Sequence, residues 1–186
     1  MAPSSKQQFL LNFLRNPLRN ASVVPSSPAA CRAVLQGIDF SECKYVVELG
    51  PGTGCFTEQL YAQLPSDAQV LIVEVELSYI AHLQEQFGDR FEIVQGSAHL
   101  LDDLVAERGW PHIDLILSGL PFSLPASVKV PLFETLRQRI SAGTELRFFT
   151  YMPPVMKRYY RGFPLRMVRR VLANLPPMWI YSAGGR

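Results

Sequence analysis

The chain is poor in several features, and each shortage excludes a class of protein. No apolar run in its 186 residues reaches the roughly 18 that a membrane-spanning helix needs, so no transmembrane segment is expected. The first residues do not present a basic stretch, an apolar core and a small-residue cleavage site in that order, and no secretory signal is expected. Cysteine is scarce, with only Cys31, Cys43 and Cys55. Their odd number and their spacing fit no metal-ligand pattern, which points to thiols in a reducing cytosol and to no metal site. Cys55 is expected to serve packing. His82, His99 and His112 have no evident catalytic partner, so surface or core roles are expected for them.

Acidic residues are missing from both ends. Met1 to Ile38 carries four basic residues (Lys6, Arg15, Arg19, Arg32) and no acid, and Leu146 to Arg186 carries eight basic residues and no acid. All 16 acids lie between Asp39 and Glu145 against six basic residues, so the middle carries about −10 and the ends about +12. If the ends meet in space they form a basic face on an acidic body. Such a face favours a polyanion, either an anionic membrane surface or a nucleic acid.

What the chain does have is a dense signal at Val46-Val47-Glu48-Leu49-Gly50-Pro51-Gly52-Thr53-Gly54. An apolar strand runs straight into three glycines spaced two apart. Glycine lets the backbone turn sharply and lets a ligand approach the main chain. A second apolar strand, Gln69–Glu74, ends in a carboxylate about twenty residues beyond the glycines, placed to accept both hydrogen bonds of a ribose diol. The dinucleotide fingerprint is G-x-G-x-x-G; here the third glycine comes one residue early. Glu48, in the strand before the loop, would repel a pyrophosphate and suits a cationic ligand.

The remaining elements alternate. Ser27 caps a helix with Pro28 at its first position. Strands are expected at Lys44–Leu49, Gln69–Glu74, Phe91–Gln95, His112–Ser118, Glu145–Tyr151 and Met178–Ser182. Helices are expected at Ser5–Arg15, Thr53–Leu64, Leu77–Phe87, Leu100–Glu107 and Ala126–Ile140. A further helical region is expected within Val155–Ala173, interrupted near Gly162 and Pro164. This order predicts an α/β fold, a mostly parallel sheet of six to seven strands with helices on both faces, plus an N-terminal amphipathic helix. Phe9, Leu10, Phe13 and Leu14 share one face of that helix, with Lys6 and Arg15 at its edges, as in a helix that lies among lipid headgroups. The expected division is a membrane-facing helical leader over residues 1–38 and a catalytic domain over residues 39–186.

The glycine stretch resembles motif I of the class I S-adenosylmethionine-dependent methyltransferases, E-x-G-x-G-x-G, with Glu48, Gly50, Gly52 and Gly54 in place. The resemblance implies a Rossmann-like fold, with S-adenosylmethionine held by these residues, Glu74, Ser97, Ala98 and Ser118. Ser97 stands where the family often has Asp, and Glu76 where it often has Asn. Methyltransferases of exocyclic base amines carry Asn/Asp-Pro-Pro-Tyr or Asn-Leu-Pro-Tyr after strand four. Here Ser118-Gly119-Leu120-Pro121-Phe122 keeps part of that pattern and has glycine at the Asn position.

The wider resemblance is to the soluble bacterial phospholipid N-methyltransferases that modify phosphatidylethanolamine. It rests on Phe13-Leu14-Arg15-Asn16-Pro17, Val24-Pro25-Ser26-Ser27-Pro28, the glycine motif, Ser118-Gly119-Leu120-Pro121, Phe149-Thr150-Tyr151 and Asn174-Leu175-Pro176-Pro177. It implies N-methylation of phosphatidylethanolamine or its methylated forms by a cytoplasmic enzyme peripherally bound to the inner face of the plasma membrane. Tyr151 and Phe122 are the expected catalytic, substrate-side residues. Phe9, Phe13, Leu14, Arg15, Lys157, Arg158, Tyr159 and Tyr160 are expected to meet lipid, the cations at phosphate and the tyrosines around an ammonium. The alternatives are an rRNA adenine N6-methyltransferase and a membrane-binding module that keeps the fold without turnover. Aromatic-basic runs suit nucleic acid as well, so nucleic acid remains the second partner.

Overall fold

The computed structural model describes residues 27–122, 124–174 and 176–185. The expected helix carrying Phe9, Phe13, Leu14 and Arg15 lies outside them. Helix α1 (Pro28–Val34) begins where the Ser27 hydroxyl accepts from the Ala30 N–H at 3.2 Å, with proline in the first turn. It falls on the leader side of the boundary expected at residue 38, yet Ala30, Cys31 and Val34 are buried in the core of the domain. Strand β1 (Tyr45–Leu49), helix α2 (Cys55–Gln63), strand β2 (Gln69–Glu74), helix α3 (Leu77–Phe87) and strand β3 (Glu92–Gln95) follow. A 3-10 turn (Ala98–Leu100) leads into α4 (Leu101–Glu107), then β4 (Leu115–Ser118), α5 (Ala126–Ser141), β5 (Glu145–Thr150) and α6 (Pro153–Tyr159). Strands β6 (Leu165–Val171) and β7 (Met178–Ala183) close the chain.

The seven strands lie in the order β3-β2-β1-β4-β5-β7-β6. The first five are parallel, and β7 runs antiparallel between β5 and β6. Helices cover both faces, which is why Val70–Val73 can be a continuous apolar strand rather than an alternating one. Alternate residues of β1 serve opposite faces. Val46 packs under α1, α2 and α3, while Val47 and Leu49 pack under α4 and α5. The order reverses at β1 and β4, and ligands of open α/β sheets bind outside the carboxyl ends of the strands at such a switch point.

One expectation fails. The region within Val155–Ala173 is helical only as far as Tyr159, and Leu165–Val171 is the seventh strand. A register shift between Met167 and Arg169 puts the half-buried residues of β6 at Leu165, Val168 and Val171. Three-residue spacing imitates a helix, and it arises here because the bulge breaks the two-residue alternation. The hairpin turn is tied back to α1: the Asn174 side-chain oxygen accepts from the Ser27 N–H at 3.2 Å, and its amide donates to the Pro176 carbonyl at 2.9 Å.

Three further residues differ from expectation. Arg147, counted among the basic ends, is 2% exposed. It pairs with Glu145 and donates to the Val34 and Gln36 carbonyls, satisfying the end of α1. Cys31 and Cys55 are not separate packing thiols; they form a disulfide that joins α1 to the start of α2, across a sequence separation of 24. Cys43 stays a buried thiol, and burial followed by nearby carboxylates pushes its pKa up to about 12, which makes it a poor nucleophile. A bridge closing a loop of this length restricts the unfolded chain by about 3 kcal/mol in the loop-entropy account. Reduction, or Cys31→Ser, is therefore expected to lower the unfolding free energy by about 2–4 kcal/mol. Urea titrations with and without dithiothreitol measure this, and coincident curves would refute a stabilising role.

Candidate active site

The carboxyl ends of the central strands open onto a cavity of about 690 Å³. Its floor is set by two strand ends that touch. The ladder continues past β1 and β4, with the Gly50 N–H donating to the Val73 carbonyl and the Gly119 N–H to the Leu49 carbonyl, each at 2.9 Å. The two loops then approach so closely that a Cβ on Gly119 would overlap the carbonyl oxygen of Gly50. Gly50 has φ 67°, and a Cβ there would come 2.8 Å from the Leu120 side chain. No side chain fits either position without a shift of backbone or of Leu120.

Glu74 organises the ribose end. Its Oε1 accepts from the Val75 and Glu76 N–H groups at 2.7 and 3.0 Å, and its Oε2 accepts from the Gly52 N–H at 3.2 Å. A carboxylate has about four acceptor positions. A diol making two bonds would use the remaining one and replace Gly52, freeing that N–H to face the ligand. Ser97 and Ala98 line the same cavity beyond Glu74. The Ser97 hydroxyl lies 2.8 Å from His99 Nδ1.

Glu48 does not open onto the cavity. It lies under α2, 1% exposed, with Oε2 accepting from the Thr57 hydroxyl at 2.8 Å. Its Oε1 has no hydrogen-bond partner among the described residues. Burial pushes this carboxyl up to about 8; the Thr57 bond opposes the rise and the Glu74 charge adds to it. A positive charge just above the loop would favour its ionised form. Gly54 also stands behind the loop: it starts α2 with φ 82° and abuts Leu83 and Phe87.

Beyond the glycines the wall turns apolar. Leu120, Pro121, Leu124, Val128, Phe149 and Tyr151, the last expected on the substrate side, line it. Tyr151 meets Phe149 edge-on with centroids 5.6 Å apart. Phe122 and Ser118 face an adjoining recess instead of the main cavity, and Ser118 is buried. Tyr160 departs further from its expected place among the lipid contacts. It is 5% exposed and stacks on Phe148 with centroids 4.3 Å apart. Burial raises its hydroxyl pKa, and it is a core ring rather than a surface contact. Lys157 and Arg158 are exposed on α6, and Tyr159 is half-buried against Phe122.

The two basic ends do meet. Arg32 from α1 and Arg169 and Arg170 from β6 line one open groove of about 770 Å³ that has no carboxylate in its wall. Among the described residues no group of acids, histidines and cysteines could hold a metal ion. No helix there is long and apolar enough to cross a membrane.

No protein-family model matches the chain. An ornithine lipid N-methyltransferase of Singulisphaera acidiphila is 32% identical over 182 residues, which is 95% of this chain and 94% of that protein. A ribosomal RNA small subunit methyltransferase A of Pseudomonas putida is 34% identical over 138 residues, but these span 73% of this chain and only 46% of that protein. Among solved structures, an O-methyltransferase from Bacillus cereus in complex with SAH superposes with TM-score 0.67 at 15% identity, covering 99% of this chain and 93% of that one. A precorrin-6y C5,15-methyltransferase from Geobacter metallireducens gives TM-score 0.63 at 12% identity, covering 86% and 87%. The glycine cradle, the carboxylate at the end of β2 and near-complete coverage of a lipid-modifying relative agree, and the chain belongs to the bacterial lipid N-methyltransferases, class I enzymes that use S-adenosylmethionine.

Proposed function

We propose that this chain methylates the amine of a membrane lipid headgroup, such as phosphatidylethanolamine, its methylated forms or an ornithine lipid, while held peripherally at the inner face of the plasma membrane. The observation that carries this reading is the contact between Gly119 and Gly50. Base-methylating enzymes place Asn at the position of Gly119, and its polar side chain holds the exocyclic amine. With this backbone there is no room for a side chain at that position. The apolar wall of Leu120, Leu124, Val128 and Phe149 suits a substrate that brings its own hydrocarbon. Val75 and Leu77, each 63% exposed between β2 and the start of α3, give the rim an apolar edge that fits a lipid surface.

S-adenosylmethionine bound here supplies an electrophilic methyl group. Gly50 and Gly52 would lie under it, Glu74 would take the ribose, and Ser97 with Ala98 would face the adenine. The acceptor amine enters from the Leu124–Phe149 side and must arrive unprotonated. An apolar wall disfavours the ammonium form, and Tyr151 or the carbonyls near Leu120 are the nearest candidates to accept its proton. Holding the amine in line with the methyl supplies much of the acceleration. The leader with Phe9, Phe13, Leu14 and Arg15, together with Lys157, Arg158 and Tyr159, would keep the enzyme on the membrane.

Methyl transfer from labelled S-adenosylmethionine separates the readings. Vesicles of amine lipid with anionic lipid are offered in one reaction and ribosomal RNA in another. Label in the lipid extract is the expected result. Label only in RNA would overturn it in favour of base methylation, and label in neither, with cofactor bound, would leave a non-catalytic module.

Glu48 gives a pH signature. Because its pKa is raised to about 8 in the fold, its contribution to the stability of the ligand-free protein is greatest below its unfolded value of about 4.5 and is lost as pH rises toward 8. A cationic ligand above the loop favours the ionised form, so binding releases a proton below pH 8. Affinity for S-adenosylmethionine is expected to rise between pH 6 and pH 8 by up to about tenfold per unit. Calorimetry in buffers of different ionisation enthalpy reads that proton, and Glu48→Gln should abolish both the proton release and the pH dependence. An unchanged pH profile in that variant would sink the assignment.

A further inference from the structure

We infer that Lys129 binds the acid group of a zwitterionic amine substrate and thereby selects amines that carry a carboxylate or phosphate a few bonds away. This rests on the lipid-amine reading above. Ornithine headgroups pair their amine with a carboxylate, and phosphoethanolamine headgroups pair theirs with a phosphate. When such a headgroup delivers its amine into an apolar site, its anion is drawn out of water as well. A desolvated anion without a partner costs several kcal/mol, so a cation is needed within reach.

The main cavity supplies none among the described residues: no lysine, arginine or histidine of theirs lines it, and its carboxylates, Glu74 and Glu76, sit at the ribose end. Lys129 stands next door. It follows Val128, which lines the cavity, and it lines the recess that shares Leu120, Pro121 and Leu124 with that cavity. It is half-buried in the first turns of α5. Three other buried or half-buried cations are committed to acids, Arg108 to Glu92, Arg139 to Asp102 and Arg147 to Glu145, and half-buried Arg90 is committed to the backbone carbonyls of Tyr61, Leu64 and Pro65. Lys129 has no carboxylate within ion-pair distance among the described residues, and none of its three N–H donors has a hydrogen-bond acceptor there.

Its position is nevertheless fixed. Lys129 Nζ lies 4.3 Å from the centre of the Tyr159 ring, and that ring stacks on Phe122 with a 12° interplanar angle. A cation–π contact holds an ammonium in place without neutralising it. The full charge and the N–H donors stay available beside the segment from Leu120 to Leu124, where the headgroup must pass. Phe122 and Tyr159 then act as positioning residues for Lys129.

The test compares the wild type with Lys129→Gln and Lys129→Arg on three short-chain substrates in detergent: an ornithine lipid, its carboxyl methyl ester, and phosphatidylethanolamine. Lys129→Gln should raise KM for the acid-bearing substrates about tenfold or more, the loss expected for one hydrogen-bonded charge pair. The turnover number and the affinity for S-adenosylmethionine should change less than twofold, which also establishes that the variant folds. Lys129→Arg should retain most of the affinity. The methyl ester should show the same KM with wild type and Lys129→Gln. An effect confined to the ornithine lipid makes carboxylate the recognised group, and one confined to phosphatidylethanolamine makes it phosphate. Equal losses on the ester and the free acid, or an unchanged KM, would overturn the assignment while leaving lipid methylation intact. Failure of the wild type to methylate any of the three would overturn the lipid reading, and Lys129's role with it.

Discussion

Two backbones in contact set the geometry on which the site depends. Strands β1 and β4 are neighbours only because the sheet order reverses between them, and their loops must then diverge within a residue or two. Gly50 and Gly119 permit that divergence at a separation no side chain allows. Once they are in place, the rest follows with little freedom. Gly52 is carried under Glu74, α2 starts at Gly54 against Leu83 and Phe87, and Leu120 is pressed over Gly50 to become the first apolar residue of the cavity wall. The same contact that shapes the cofactor loop therefore also decides what the acceptor side can be made of.

The cavity divides its chemistry by strand. The ends of β1, β2 and β3 offer backbone N–H groups and the Glu74 carboxylate, itself held by three N–H bonds, with Glu76 beside it. The segment after β4, with the first turn of α5 and the end of β5, offers hydrocarbon and aromatic rings. Charge is kept out of the acceptor half and placed around it. Arg147 is withdrawn into the core to finish α1, while Arg166, Arg169 and Arg170 lie exposed on the edge strand β6. Cations on an edge also prevent another strand from pairing there, so the basic character of this end serves the integrity of the sheet as well as any polyanion.

Strands and helices with plain periodicity were legible in the sequence. Gln69–Glu74 and Leu77–Phe87 agree with the structure to the residue, and the glycine motif with Glu74 located the cavity. The failures have specific causes. Strand β6 was hidden because a bulge gives its buried residues a helical spacing. The Cys31–Cys55 pair was hidden because nothing local indicates that α1 lies against the start of α2. Tyr160 sits beside Lys157, Arg158 and Tyr159, which suggest a surface, whereas the C-terminal cap of α6 turns it inward onto Phe148. Lys129 carries no motif in the sequence; its meaning depends on the cavity it borders, which no cation among the described residues lines.

The disulfide has a consequence for electron transfer. Cys31 is sealed at 0% exposure, while Cys55 forms part of the cavity wall beside the glycine loop. A ligand that fills the cavity lies against Cys55. Occupancy and redox state are then two legs of one thermodynamic cycle. By whatever factor the bridge changes ligand affinity, the ligand changes the reduction equilibrium by the same factor. A ligand whose affinity differed tenfold between the bridged and the reduced protein would shift the bridge's reduction potential by about 30 mV.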